Sequence, residues 1–219
     1  MRNWIRKSLY LIVLFGLSVA NAGSYEDFFE AISRDDADAV AQLLQRGIDP
    51  NTPNPAGVPA LMLALKLPTP AVAVALLARP DIHVEVRNAQ DESPLMLAAL
   101  AGELEICRTL IERDADVNKP GWAPLHYAAT NSHVTVMRLL LDHHAYIDAA
   151  SPNGSTPLMM AAMYGNASAV KLLLESGADP SLKNDLGLTA IDFAQRVKKM
   201  DSVEIIAAFI RGQRPKGAW

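Results

Sequence analysis

The stretch Asn153-Gly154-Ser155-Thr156-Pro157-Leu158-Met159-Met160-Ala161-Ala162 decides the reading of this chain. Asn153-Gly154 is a turn signal. Thr156 is suited to cap a helix, and Pro157 stands at its first position, where a missing N–H costs nothing. Leu158, Ala161 and Ala162 mark one face of a short helix. Gly165 then breaks the chain, Ala169 to Leu174 form a second helix, and Gly177 is placed to stop it in a left-handed conformation.

The same theme recurs outward from this stretch. Pro59-Ala60-Leu61-Met62, Ser93-Pro94-Leu95-Met96 and Ala123-Pro124-Leu125-His126 are variants of Thr156-Pro157-Leu158-Met159, with Ala64, Ala98, Ala128 and Ala161 three residues after each leucine. The pattern leucines are 34, 30 and 33 residues apart. A fixed period near 33 residues marks an array of stacked units, each unable to bury its apolar face alone.

Four further features repeat. A Val-x-x-Leu-Leu run occurs as Val40–Leu44, Ile106–Ile111, Val136–Leu140 and Val170–Leu174. The units end in Gly47-Ile48-Asp49-Pro50-Asn51, Asp114-Ala115-Asp116-Val117-Asn118, His144-Ala145-Tyr146-Ile147-Asp148 and Gly177-Ala178-Asp179-Pro180. With the loop glycine and the spaced alanines, these motifs resemble ankyrin repeats over about residues 25–211. The resemblance implies an all-α solenoid of helix-turn-helix units. Six are expected: 25–53, 54–87, 88–118, 119–150, 151–183 and 184–211, the first and last being degenerate caps with more polar outer faces. Together they form one domain over 23–219.

Departures from the pattern carry information. Pro68 and Pro80 stand where the second unit would have its loop and helix-stop glycines, and proline cannot adopt a left-handed conformation. Asp114 and His144 replace the stop glycine, and both types tolerate positive φ. The fourth unit arrives three residues early, which shortens the connecting finger at Asn118-Lys119-Pro120-Gly121.

The first 22 residues read separately. Arg2, Arg6 and Lys7 precede an apolar run from Leu9 to Ala20, and Ala20-Asn21-Ala22 is a small-residue cleavage site. This is the pattern of a secretory signal peptide, cleaved after Ala22. The apolar run is shorter than the ~20 residues of a spanning helix. Export to a periplasm or outside the cell is therefore expected, with no membrane span after cleavage. The chain has 20 basic and 24 acidic residues. Losing three cations leaves 17 against 24, an acidic balance that disfavours nucleic acid as a partner. A lone cysteine makes no internal disulfide.

Candidate chemical groups each have a packing explanation. The resemblance implies that the last residue of the four-residue theme, when it is His, bonds neighbouring backbone. Only His126 keeps it. Met62, Met96 and Met159 are expected to fill gaps without replacing those bonds. The competing reading is a thioether ladder for copper(I), joined by Met160 and Met163, or a metal and redox site using Cys107 and the histidines. Cys107 reads as a buried small hydrophobe. His143 and His144 read as helix-end residues, His133 being the nearest further ligand. Asp35-Asp36 and Asp114/Asp116 fall at caps and loops. The motifs of serine hydrolases, zinc proteases, dithiol redox sites and phosphate loops are absent after residue 22. No catalytic residue, cofactor or metal is assigned. The sequons at Asn153 and Asn166 coincide with turns.

The resemblance implies a concave side lined by finger tips and the ends of first helices, where ankyrin proteins usually bind. The positions carried over are Gln90, Glu92, Lys119, Trp122, Asn153, Ser155 and Leu188 in the fingers. On helix ends they are Lys66, Leu100, Thr130, Asn131, Met163 and Tyr164. The residues expected to carry partner binding are Trp122, Tyr164, Met163, Leu100, Asn131, Glu92, Lys119 and Asn153, in a monomer that holds an unidentified protein. Trp122 either faces outward beside the short finger or folds back over it.

Overall fold

A computed structural model describes residues 23–213. The expected signal peptide lies outside the described residues. Every regular element among the described residues is a helix, apart from an isolated bridge between Pro53 and Pro59. Two compact units meet in sequence at His83 and Val84.

The first unit holds α1 (23–33), α2 (Ala37–Gln45), α3 (Ala60–Ala64) and α4 (Ala71–Leu77). Asp36 caps α2 by accepting from the Ala39 N–H at 2.9 Å. α4 packs on α2 and α3, enclosing Val40, Leu43, Leu61, Met62, Val72 and Leu76.

The second unit holds α5 (Pro94–Ala101), α6 (Leu104–Glu112), α7 (Pro124–Thr130), α8 (Val134–Asp142), α9 (Pro157–Met163), α10 (Ala167–Glu175), α11 (Ala190–Arg196) and α12 (Met200–Gln213). Composition sorts these into two rows. α5 reads Pro-Leu-Met-Leu-Ala-Ala-Leu-Ala, apolar on every side, and Pro94 to Ala99 are all buried. It packs on α7, α7 on α9 and α9 on α11, forming an inner row. α6, α8 and α10 are amphipathic. α6 buries Ile106, Cys107 and Leu110 and exposes Glu105 and Arg108. α8 buries Val136, Met137, Leu139 and Leu140, each worth about 1.5–3 kcal/mol against an exposed position. These form an outer row continued by α12.

The inner helices begin as expected. Ser93, Ala123 and Thr156 are extended N-caps, each followed by proline at the first helical position. His126 is buried. Its Nδ1 accepts the Ala123 N–H at 3.1 Å, so Nε2 carries the ring proton and donates to the Ser155 carbonyl at 3.0 Å. The expectation for methionine needs correction. Met96 Sδ lies 3.3 Å from the Ser93 N–H and Met159 Sδ 3.4 Å from the Thr156 N–H, the bond that His126 makes with Nδ1. A thioether is a weak acceptor, but it reaches the N-cap donor. Met62 is different: its N-cap is Pro59, which has no N–H to offer, so Met62 only fills space. Asp192 takes the same place in α11, accepting from the Thr189 N–H at 2.7 Å.

A ladder of side chains joins unit ends. In the first compact unit, Asn51 donates to the Asp81 carbonyl and accepts from the His83 N–H. In the second, Asn118 donates to the His144 carbonyl (2.8 Å) and accepts from the Tyr146 N–H (2.7 Å). Glu85 accepts from the Asp116 N–H and Asp148 from the Asp179 N–H. Asp114 and His144 have φ of 65° and 63°, taking the left-handed place that Gly47 and Gly177 fill elsewhere. At Gly165 a Cβ would lie 2.6 Å from the Ala129 carbonyl oxygen, so only glycine lets the loop approach the preceding pair.

Candidate partner-binding surface

The fingers of the second compact unit share one construction. In residues 88–92, the Asn88 carboxamide oxygen accepts from the Gln90 and Glu92 N–H groups, and Asp91 takes positive φ (59°). In 184–188, Asn184 accepts likewise from Leu186 and Leu188, with Gly187 at φ 73°. Ser151 plays this part in 151–155. The result is a rigid turn that projects its third residue: Gln90, Asn153 and Leu186 are exposed tips.

The finger at 119–122 departs from this. Lys119 occupies the place of the tying Asn or Ser, and the finger is one residue shorter. The expectation that Lys119 is an exposed finger residue is overturned. It is 8% exposed, its ammonium ion-pairs with Asp91 of the preceding finger, and it donates to the Pro120 carbonyl at 3.2 Å. A buried ammonium needs a counter-ion, and the shortened finger draws Lys119 back to it. The Lys119 hydrogen bond and charge, with the nearby Arg87, hold the Asp91 carboxyl below its usual range. Ser155 is likewise buried, because its carbonyl receives His126 and its N–H bonds Ser151.

Trp122 is half-buried and lies edge-on to the His126 ring, with centroids 5.3 Å apart at 77°. It neither stands free nor closes completely over the finger. Glu92 is half-buried; its carboxylate accepts from Asn88 Nδ2 at 2.7 Å and from the Tyr127 hydroxyl at 3.1 Å. Burial first, and the Glu92 charge second, push the Tyr127 phenol above its ordinary value. Tyr127 is a half-exposed aromatic on α7 that the sequence reading passed over; its sign was the large residue between His126 and the alanine pair. Leu188 is half-buried.

The helix-end residues occupy corresponding places. Leu100 is near the end of α5, Asn131 caps α7, and Met163 and Tyr164 end α9. The structure brings Leu100 and Asn131 together, since Asn131 Nδ2 donates to the Leu100 carbonyl at 2.8 Å. Tyr164 is 54% exposed, Asn131 is exposed, and Leu100, Thr130 and Met163 are half-buried. Lys66 is exposed in the first compact unit.

Cys107 is buried, and desolvation pushes its thiol up to about 12, far from a nucleophile's range. Among the described residues no three His, Cys, Asp or Glu side chains gather as metal ligands. The sulfurs of Met96 and Met159 are turned onto N-cap N–H groups. No described helix is long and apolar enough to cross a membrane.

This paired-helix architecture, with Asn- or Ser-tied fingers, is that of a repeat protein built to present a surface. A family model described as "Ankyrin repeats (3 copies)" matches residues 28–120, 118–184 and 142–212, and the chain belongs to the ankyrin repeat family. It is similar to the B-cell lymphoma 3 protein homolog of Mus musculus, 34% identical over 67% of this chain and 34% of that protein. It is also similar to the ankyrin repeat and SAM domain-containing protein 6 of Rattus norvegicus, 32% identical over 91% of this chain and 20% of that protein. The chain thus spans about a third or less of these relatives. Among solved structures, an ankyrin repeat domain from Acinetobacter baumannii superposes with a TM-score of 0.70, at 24% identity, over 83% of this chain and 96% of that one. Ankyrin repeats are protein–protein interaction modules.

Proposed function

We propose that this chain is an exported, monomeric, non-catalytic binding module. It holds one partner protein on its finger and inner-helix face, to inhibit or stabilise it. Protection of the cell envelope under stress, or neutralisation of a toxic effector, are the roles such a module serves. Export rests on the basic, apolar and small-residue order of residues 1–22 and gives a periplasmic or secreted protein beginning at Gly23.

One observation carries the choice of face. Tyr164, 54% exposed, ends α9 as Leu100 and Asn131 stand at the ends of the preceding inner helices, whose starts follow the fingers bearing Glu92, Trp122 and Asn153. An exposed tyrosine with a half-covered Trp and Met on the same array of inner helices and fingers has the composition of an interface.

The test is recovery of the partner from the native envelope fraction by crosslinking and mass spectrometry, comparing the wild type with the Trp122→Ala/Tyr164→Ala double variant. The double variant is expected to lose the wild-type partner. Recovery with equal affinity would remove this face from the reading. N-terminal sequencing of the exported protein checks the start at Gly23.

A further inference from the structure

We propose that Glu92, Tyr127 and Trp122 form a seat for one cationic side chain of the partner, a lysine ammonium or an arginine guanidinium. This rests on the reading that the finger face binds protein and names the chemistry that one part of it selects.

Glu92 and Trp122 close successive fingers, each standing directly before the cap of its inner helix. Tyr127 leaves α7, the helix that follows Trp122, and its hydroxyl reaches Glu92 at 3.1 Å, while Trp122 packs on His126, the residue before Tyr127. The three side chains are all half-buried, neither sealed in the core nor loose in solvent. The Glu92 carboxylate is held in place from two sides, by Tyr127 and by Asn88 Nδ2. Both donors are neutral, so its charge is not cancelled. No cation is within ion-pairing distance of Glu92 among the described residues; Lys119, the cation of the adjoining finger, is engaged by Asp91.

A fixed carboxylate bonded to a phenol, with an indole on the next finger, attracts a cation twice. The carboxylate supplies a charged acceptor, and ring faces within about 6 Å of a cation add a quadrupole attraction that is strongest for Trp. Partial burial lowers the local dielectric and strengthens both. Anions are repelled, and a neutral apolar side chain leaves the carboxylate without a counter-charge. The acidic balance of the chain, 24 carboxylates against 20 cations, favours the same partner charge.

The experiment titrates the folded full chain with acetyl-Gly-Arg-Gly-amide and acetyl-Gly-Lys-Gly-amide, with acetyl-Gly-citrulline-Gly-amide as the uncharged control. Two-dimensional amide and indole NMR is the readout. The cationic peptides are expected to give saturable shifts centred on Glu92, Trp122 and Tyr127, with no saturable response to citrulline. Glu92→Gln is expected to weaken binding roughly tenfold. Trp122→Leu, which keeps the carboxylate, serves as the second variant should Glu92→Gln disturb the fold, and is expected to weaken arginine binding severalfold. Absence of saturable shifts, equal shifts with citrulline, or unchanged binding in the variants overturns the seat. Because these peptides require no native partner, that failure leaves the partner-recovery experiment to judge the face itself.

Discussion

The His126 Nε2 atom lies 3.0 Å from the carbonyl oxygen of Ser155, a residue of the following finger. Through its other nitrogen the same ring holds the N-cap of its own helix, and Trp122 leans on its edge. One buried side chain therefore ties a helix start, the next finger and the aromatic of the candidate surface. At the corresponding places, Met96 and Met159 make the first tie only.

His126→Ala is expected to destabilise the protein by about 2–4 kcal/mol, from a cavity and two orphaned backbone groups. His126→Met should cost distinctly less, since a thioether there can accept the Ala123 N–H. Urea denaturation of the three proteins at pH 8 checks the order. Equal losses for Ala and Met would refute the thioether acceptor.

The same histidine sets an acid limit. Burial, the largest effect, lowers its pKa below the ordinary 6.5, although the bond to the Ser155 carbonyl opposes this. The folded state thus keeps His126 neutral where the unfolded chain takes up a proton. Its contribution is complete above about pH 6.5 and is lost as pH falls towards the lowered value. Denaturation curves should show stability falling below that pH, with a shallower fall in His126→Met.

Asp148→Asn is expected to stabilise. Burial raises the Asp148 pKa; the bond from the Asp179 N–H opposes this, and the Asp179 charge adds to the rise. Asn51 and Asn118 occupy matching ladder positions and both donate and accept, which a carboxylate cannot do. A gain of about 0.5–1.5 kcal/mol is expected at pH 8. A raised folded pKa means the wild type takes up a proton on folding as pH falls towards 3.8. The advantage of Asn should therefore shrink in acid. Thermal melts at pH 8 and pH 4 measure both.

Cys107 should resist alkylation in the native protein, because its thiol is buried and its pKa is pushed up to about 12. Iodoacetamide labelling followed by mass spectrometry is expected to proceed only as fast as the surrounding helices open, and to become rapid in urea.

What was legible in the sequence is what local chemistry decides. Pro94, Pro124 and Pro157 at helix starts, Ser93 and Thr156 as caps, and the left-handed Asp114 and His144 are all visible within a few residues of context. Lys119 was misread because its burial depends on Asp91, in another finger, and on a shortening whose consequence is three-dimensional. Ser155 was misread because His126 approaches it from the preceding inner helix. Tyr127 was passed over because its partner, Glu92, lies 35 residues away. The thioether contacts were missed for a chemical reason: methionine was treated as filler when its sulfur also accepts.

The most direct test of the central claim is hydrogen–deuterium exchange of the protein with and without its recovered partner. Protection is predicted at the fingers around Glu92, Trp122 and Asn153 and at the inner-helix ends near Leu100, Asn131 and Tyr164. Protection confined to the outer row of α6, α8 and α10, with these segments exchanging as in the free protein, would contradict it.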